Sequence, residues 1–264
     1  MTMTRSPREP VRITLDKQTL TIEATFRYGA SCFNLHPASQ IAYADLIEAG
    51  IRRKWTTSFE VDERLQRALD RFADSRNLPK KNRPDVTRPL QVEVKIYRHS
   101  VHGMTYGETV KPAAKPIHIR LSRTTLLPSR VGSPLWRRAW GFFRVFQIEG
   151  LGLNWTRKER GIMTMAPYPH VWQVESVAAH EFGHLMGLGD AYGAIYRFYY
   201  EAPGTDNYLM RNNRRLSAEE LAMVLDAERT NKMQFFPKSF EKKRFKAGLK
   251  REIARIKKQV GDTK

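Results

Sequence analysis

Two histidines four residues apart, with a glutamate between them, lie in the segment HEFGHLMGLGD at residues 180 to 190. On a helix such residues share one face a turn apart, so His180 and His184 can turn two imidazoles toward one metal ion. Glu181 then sits beside them as a carboxylate outside the ligand set. Five-residue patterns with two free positions also arise in helices that bind nothing, so this spacing by itself leaves an ordinary helix open. The following residues narrow the choice. Gly187, three residues after His184, can take the left-handed conformation that stops a helix and turns the chain back. Asp190 then arrives where a third ligand would stand, and catalytic zinc sites use three protein ligands and leave a fourth position to water. In isolation Asp190 reads as a solvated loop carboxylate or a helix cap. Behind HExxHxxG it reads as the third ligand. Tyr192 is close enough in sequence to border the same site.

These residues need a helix to carry them and a scaffold beneath it. Val171, Val174, Val177, Ala178, Phe182 and Leu185 recur at the spacing of a mostly buried helix ending near Gly187. LSAEELAMVLDAERTNK is a second helix, with Ser217 as N-cap and Glu220 three residues later as its capping box. Near the start, VRITLD and TLTIEATFRYG alternate as the strands of a hairpin. ASQIAYADLIEAGIRRKW follows as a helix with Ile41, Leu46, Ile47 and Ile51 near one face, packed on the sheet, and FEVDERLQRALDRFADS as another. The proline-rich run NLPKKNRPDVTRP predicts an exposed basic loop, an insertion near 74–90. QVEVKIYRH and PIHIRLSR have the alternation of strands, and residues 133–167 predict a short helix followed by the strands FRVFQIEG and GIMTMAP. There Trp136, Trp140, Phe143 and Phe146, interleaved with Arg137, Arg138 and Arg144, could stack on bases or line a cleft, although helically spaced aromatics usually face a core. The expected fold class is α+β, with one domain over 1–237 and a basic amphipathic tail over 238–264 marked by Phe245, Leu249, Ile253, Ile256 and Val260.

HEFGHLMGLGD resembles the metzincin zinc-peptidase signature HExxHxxGxxH/D, in the form whose last ligand is aspartate, as in snapalysin-like enzymes. NYLMRNN, residues 207 to 213, is similar to that family's Met-turn, which implies Met210 as an apolar floor under the metal. The likeness is specific over 171–213, loose over 11–170 and absent from the tail. It implies a twisted mixed sheet, an active-site helix, the Met-turn and a C-terminal helix. It also implies one Zn2+ per chain on His180, His184 and Asp190, with Glu181 taking a proton from the attacking water and returning one to the leaving amine. An edge strand within FRVFQIEGLGLNWT would pair with an extended protein or peptide substrate. GLGDAY is similar to segments of metzincin-like domains in bacterial toxin and effector proteins.

The match departs from the family in two places. Some subfamilies carry a tyrosine two residues after the Met-turn methionine, where this chain has Asn212, so Tyr192 and Tyr208 are left as candidates for oxyanion stabilisation. Aspartate in place of histidine leaves the metal centre less positive and its water less acidic. Glu219 or Glu220 could instead serve as the distal glutamate ligand of the other large HExxH class, but Gly187 and Asp190 would then have no explanation.

Composition supplies a rival. The 264 residues carry 46 Lys and Arg against 27 Asp and Glu, a formal +19, and the tail alone holds 11 basic and 3 acidic side chains. A basic nucleic-acid- or membrane-binding protein with a structural or degenerate metal site is the alternative, with the tail as the anchor to an anionic surface. No apolar run is long enough for a transmembrane segment. No secretory signal opens the sequence, so the expectation is a cytoplasmic protein or export by an effector-type route. A broad peptidase without a signal would threaten its own cytosol, which calls for tight selectivity, an inhibitor or immunity protein, or delivery elsewhere. Cys32, the single cysteine, is either a metal-blocking thiol or a small buried hydrophobe. His36, His99, His102, His118 and His170 have no partner at i+4 and read as structural or surface residues.

Overall fold

The alternation in VRITLD and TLTIEATFRY becomes β1 (Val11–Asp16) and β2 (Thr19–Tyr28), antiparallel with Val11 opposite Ala24. In the computed structural model the described residues are 9–85, 87–99, 115–125, 128–134, 137, 152–192 and 202–237, with 242–243, 246–250 and 253–254 of the tail. After β2 come α1 (Tyr43–Trp55), β3 (Thr57–Phe59), α2 (Glu63–Ser75), β4 (Leu90–Arg98), β5 (Ile117–Leu121), β6 (Arg130–Gly132) and β7 (Ile162–Met165). The chain continues through α3 (Val171–Leu185), a single turn α4 (Leu209–Asn212) and α5 (Ala218–Thr230). The architecture mixes helices with a mixed seven-stranded sheet in the order β3-β4-β2-β5-β7-β6, β1 adding to β2. β2 runs parallel to β4 and β5, and β5 to β7; β1, β3 and β6 are antiparallel to their neighbours.

The core follows from that register. Leu20, Ile22, Ala24 and Phe26 of β2, Val92 and Val94 of β4, Ile119 of β5 and Met163 and Met165 of β7 are all buried, while the intervening residues, apart from buried Thr25, are more exposed, as the pleat requires. They join Leu46, Ile47, Ile51 and Trp55 of α1 and Val174, Ala178 and Phe182 of α3 in one buried cluster that runs from Val11 to Phe236. Cys32 belongs to it as a buried hydrophobe, its sulfur 3.7 Å from the Ile119 carbonyl, and burial raises its pKa to about 11. His36 is buried and structural, with Nε2 3.1 Å from the Tyr168 carbonyl.

Three expectations change. Ile41 lies outside α1 and is 45% exposed, because residues 36–41 close a turn of their own through His36 N–H to the Ile41 carbonyl, with Gln40 left-handed. The FEV before α2 is not helical: Phe59 ends β3, and Asp62 caps α2 by accepting the Leu65 N–H at 2.7 Å. β6 is an additional strand of three residues, too short for alternation to reveal. The basic loop after α2 is exposed, as expected, yet fastened: the Gln18 side-chain amide donates to the Asp85 and Arg88 carbonyls and accepts from the Asp85 N–H. FRVFQIEG, Trp136, Trp140, Phe143 and Phe146 lie outside the described residues, as do Phe245, Ile256 and Val260. Leu249 and Ile253 of the tail are exposed. Among the described residues no helix is long and apolar enough to cross a membrane.

α1 is the bed on which α3 lies. A Cβ on Gly50 would collide with the backbone of Glu175, so the two helices touch through a residue with no side chain. Beside that crossing, Arg53 grips the Glu175 carboxylate with both terminal nitrogens at 2.6 and 3.1 Å, and the Trp55 indole donates to the Ala179 carbonyl at 3.0 Å. Gly50→Ala should therefore force the helices apart and lower the unfolding free energy by about 1–3 kcal/mol. A denaturant titration checks this as a fall in midpoint at constant slope; an unchanged midpoint would mean the crossing is not tight.

Candidate metal centre

His180 and His184 lie on the last turns of α3, and the helix ends where expected. Met186 leaves helical geometry, and Gly187 takes φ +88. Only glycine is at ease there, and a Cβ would in addition meet Ala227 and the Trp155 ring at 2.9 Å. The Leu185 carbonyl at this end accepts from the Trp155 indole at 2.9 Å and from Arg160 at 3.1 Å. Arg160, itself buried, is neutralised by buried Glu228 of α5 at 2.5 Å. Both orphaned carbonyl capacity and chain direction are thereby settled.

Asp190 is held from both sides. Gly189 N–H bonds the Gln234 carbonyl at 2.8 Å, Gln234 N–H bonds the Gly187 carbonyl at 2.8 Å, and Ala191 N–H bonds the Met210 carbonyl at 3.0 Å. This brings Asp190 Oδ1 to 3.1 Å from His180 Nε2 and 3.3 Å from His184 Nε2. The candidate ligand atoms of the three residues all lie within 4.8 Å of one another.

The far side of each ring decides what faces inward. His180 Nδ1 lies 3.0 Å from the Leu209 carbonyl, and His184 Nδ1 lies 2.8 Å from the Leu188 carbonyl. A carbonyl only accepts, so each Nδ1 carries the proton and each neutral ring presents its Nε2 lone pair to the centre. Two nitrogen lone pairs and a carboxylate oxygen thus converge, which is unfavourable until a proton or a cation stands among them. Two imidazoles and a carboxylate make a nitrogen and oxygen donor set that suits zinc. Burial works against charge on His184, yet Asp190 outweighs it and lifts the imidazole to about 9. Burial also works against charge on Asp190, but the His184 and His180 rings win and lower its pKa.

Glu181 points into the same cleft without joining the cluster. It is buried, its Oε2 has no hydrogen-bond partner among the described residues, and burial raises its pKa against the pull of His184 and His180. The cleft holds about 370 Å³ and is walled by Arg130 and Val131 of β6, by Gly152 and Leu153, and by Tyr192 and Met233. In the described sheet β6 is the last strand, so the sheet edge that reaches the site is 130–132; residues 143–151 of the expected edge lie outside the described residues.

Met210 is buried, its sulfur packed on Gly183, the residue before His184. Tyr192 reaches the site: its ring stacks on His180 at 6.0 Å, with the hydroxyl 3.5 Å from Nε2. Tyr208 does not line the cleft. Its hydroxyl donates to Glu219 at 2.7 Å, and burial with that contact raises its pKa to about 12. Glu219 also pairs with Arg64 of α2 at 2.6 Å, which leaves neither Glu219 nor Tyr208 aimed at the histidines.

Glu220 has a role that the capping box only half foretells. Its carboxylate closes the box on Ser217 N–H at 2.8 Å and also accepts from Met210 N–H at 2.7 Å and Leu209 N–H at 3.3 Å. It thereby fixes the turn whose Leu209 carbonyl orients His180. No protein-family model, curated protein or solved structure matches this chain.

Two outcomes follow from this geometry. Because His184 stays protonated up to about 9 without metal, a bound cation must expel that proton. Zinc affinity should then rise with pH through neutrality, about tenfold per pH unit while His184 carries its proton, and level off above about 9. Calorimetry in buffers of different ionisation enthalpy should find about one proton released per zinc near neutrality; a pH-independent affinity would contradict the assignment. Separately, Glu220→Gln cannot accept from three backbone donors at once, and should weaken zinc about tenfold, at the lower end for residues that orient a ligand. Competition against a chromogenic chelator reads this directly, with unaltered affinity as the contrary result.

Proposed function

We propose that this chain is a zinc-dependent endopeptidase, a mixed-sheet protein of metzincin-like layout with the α4 turn in the place of the Met-turn. The observation that carries the reading is the convergence of His180 Nε2, His184 Nε2 and Asp190 Oδ1, both Nδ1 protons being committed to backbone carbonyls, beside a buried carboxylate oxygen of Glu181 with no partner among the described residues. Zinc on these three residues would polarise a substrate carbonyl and lower the pKa of its water from 15.7 to about 7.

The chain's own groups have distinct tasks. Glu181, adjoining the ligands but not part of them, accepts a proton from the attacking water and delivers one to the departing amine nitrogen, as base and then acid. Its raised pKa suits the second half of that task, since a carboxylate that holds a proton more readily is a better donor near neutral pH. Tyr192 is the candidate for steadying the developing oxyanion, being among the described residues the tyrosine whose hydroxyl lies at the cluster. An extended protein or peptide substrate would lie along β6, where Val131 borders the cleft beside Glu181. Such an activity fits a protein delivered to a target or restrained by a neutralising partner.

Glu181→Ala tests this reading. The variant should retain zinc and its fold, while hydrolysis of a casein or mixed-peptide substrate falls by at least about a hundredfold, the scale of a general-base contribution. Mass-spectrometric mapping of new termini is the readout, and equal cleavage by wild type and variant would remove the mechanism.

A further inference from the structure

The cleft carries its own account of which peptides it accepts. Of the side chains that line it, the two carboxylates, Glu181 and Asp190, are turned to the candidate metal cluster, and the two imidazoles form that cluster. The remaining charge is Arg130, exposed on β6 at the cleft wall, and no carboxylate pairs with it among the described residues.

Register places a second cation behind it. Thr164 of β7 lies between Arg130 of β6 and Arg120 of β5, and residues opposite one another across strands share a face. Arg120 is also exposed and unpaired among the described residues. Farther along the same face Arg27 stands opposite His118. Burial and the cations Arg27 and Arg120 hold the His118 imidazole below its usual range, a sign that this end of the sheet is electropositive. The chain as a whole is basic at +19.

An extended segment laid beside β6 would sit about 4.8 Å from it, with its side chains alternating between the two faces. The residue beside Val131 then turns toward Glu181, and the residue beside Arg130 turns to the cationic face. We propose that this protein selects acidic peptide segments, with Arg130 receiving an aspartate or glutamate that flanks the scissile bond and Arg120 extending the attraction. The inference rests on the peptidase reading for the word scissile, and the acidic preference in binding stands on the charge pattern alone. A peptide is favoured over a nucleic acid because Arg130 borders a cleft edged by a strand, where a backbone can be received in extended form.

The test uses the full-length chain and three labelled peptides of one sequence, carrying Glu, Gln or Lys at alternate positions. Fluorescence anisotropy with the Glu181→Ala protein measures binding without turnover, and wild type loaded with zinc measures cleavage. Glu should bind tighter than Gln, and Gln tighter than Lys, with a two- to fivefold step at each exposed pair, roughly the range for surface ion pairs. The steps should shrink as salt rises through physiological strength. Arg130→Glu should abolish or invert the order, whereas Arg67→Glu on α2, the same change of net charge far from the cleft, should preserve it. Equal affinities, or equal losses in both variants, would overturn the proposal, as would an oligonucleotide that displaces the Glu peptide and binds Arg130→Glu undiminished. Cleavage indifferent to peptide charge would overturn it while leaving the peptidase reading intact. Charge-selective binding without cleavage by wild type would do the reverse.

Discussion

Two backbone carbonyls set the character of this site. By accepting from Nδ1–H of His180 and His184, the Leu209 and Leu188 carbonyls turn Nε2 of both rings toward Asp190, as lone pairs once His184 has given up its second proton. Three acceptors that close together inside a protein repel unless a positive charge joins them, and the surrounding burial strengthens that repulsion by keeping water out. Everything else near the site is arranged to keep these carbonyls and the carboxylate where they are.

That arrangement draws on elements distant in sequence. α1 sets the height of α3 through the bare backbone at Gly50. Arg160 and Trp155 meet the carbonyl at the end of α3, and Glu228 neutralises the arginine from α5. Glu220 of the same helix holds the turn that supplies the Leu209 carbonyl, so α5 supports both ends of the ligand cluster. A change at Glu220 is thus passed to His180 through the turn that holds the Leu209 carbonyl. The pairing of buried Arg160 with buried Glu228 is costly to break, because either partner left alone would be an uncompensated charge.

Much of this was legible in the amino-acid sequence, for reasons that differ by residue. His180, His184, Gly187 and Asp190 could be read because helical spacing and the glycine stop are local properties, and the hairpin of β1 and β2 because alternation is. The capping box of Ser217 and Glu220 was local too. What escaped was non-local or lacked a side-chain signature. The Nδ1 partners are carbonyls, which any residue has. The extra bonds from Glu220 to the α4 turn, and the withdrawal of Tyr208 to Glu219, depend on how α4 meets α5. β6 is three residues long, and its importance comes from its place at the sheet's end beside the cleft, not from its composition. Ile41 misled because it has the right spacing for α1 but precedes its first turn.

The most direct test of the central claim is X-ray absorption at the zinc edge on the zinc-loaded full-length protein. The account predicts one zinc per chain in a tetrahedral shell of two imidazole nitrogens at about 2.0–2.1 Å and two oxygens at about 2.0–2.2 Å, one from Asp190 and one from water. A shell of oxygen alone, or zinc that fails to bind stoichiometrically at neutral pH, would contradict it.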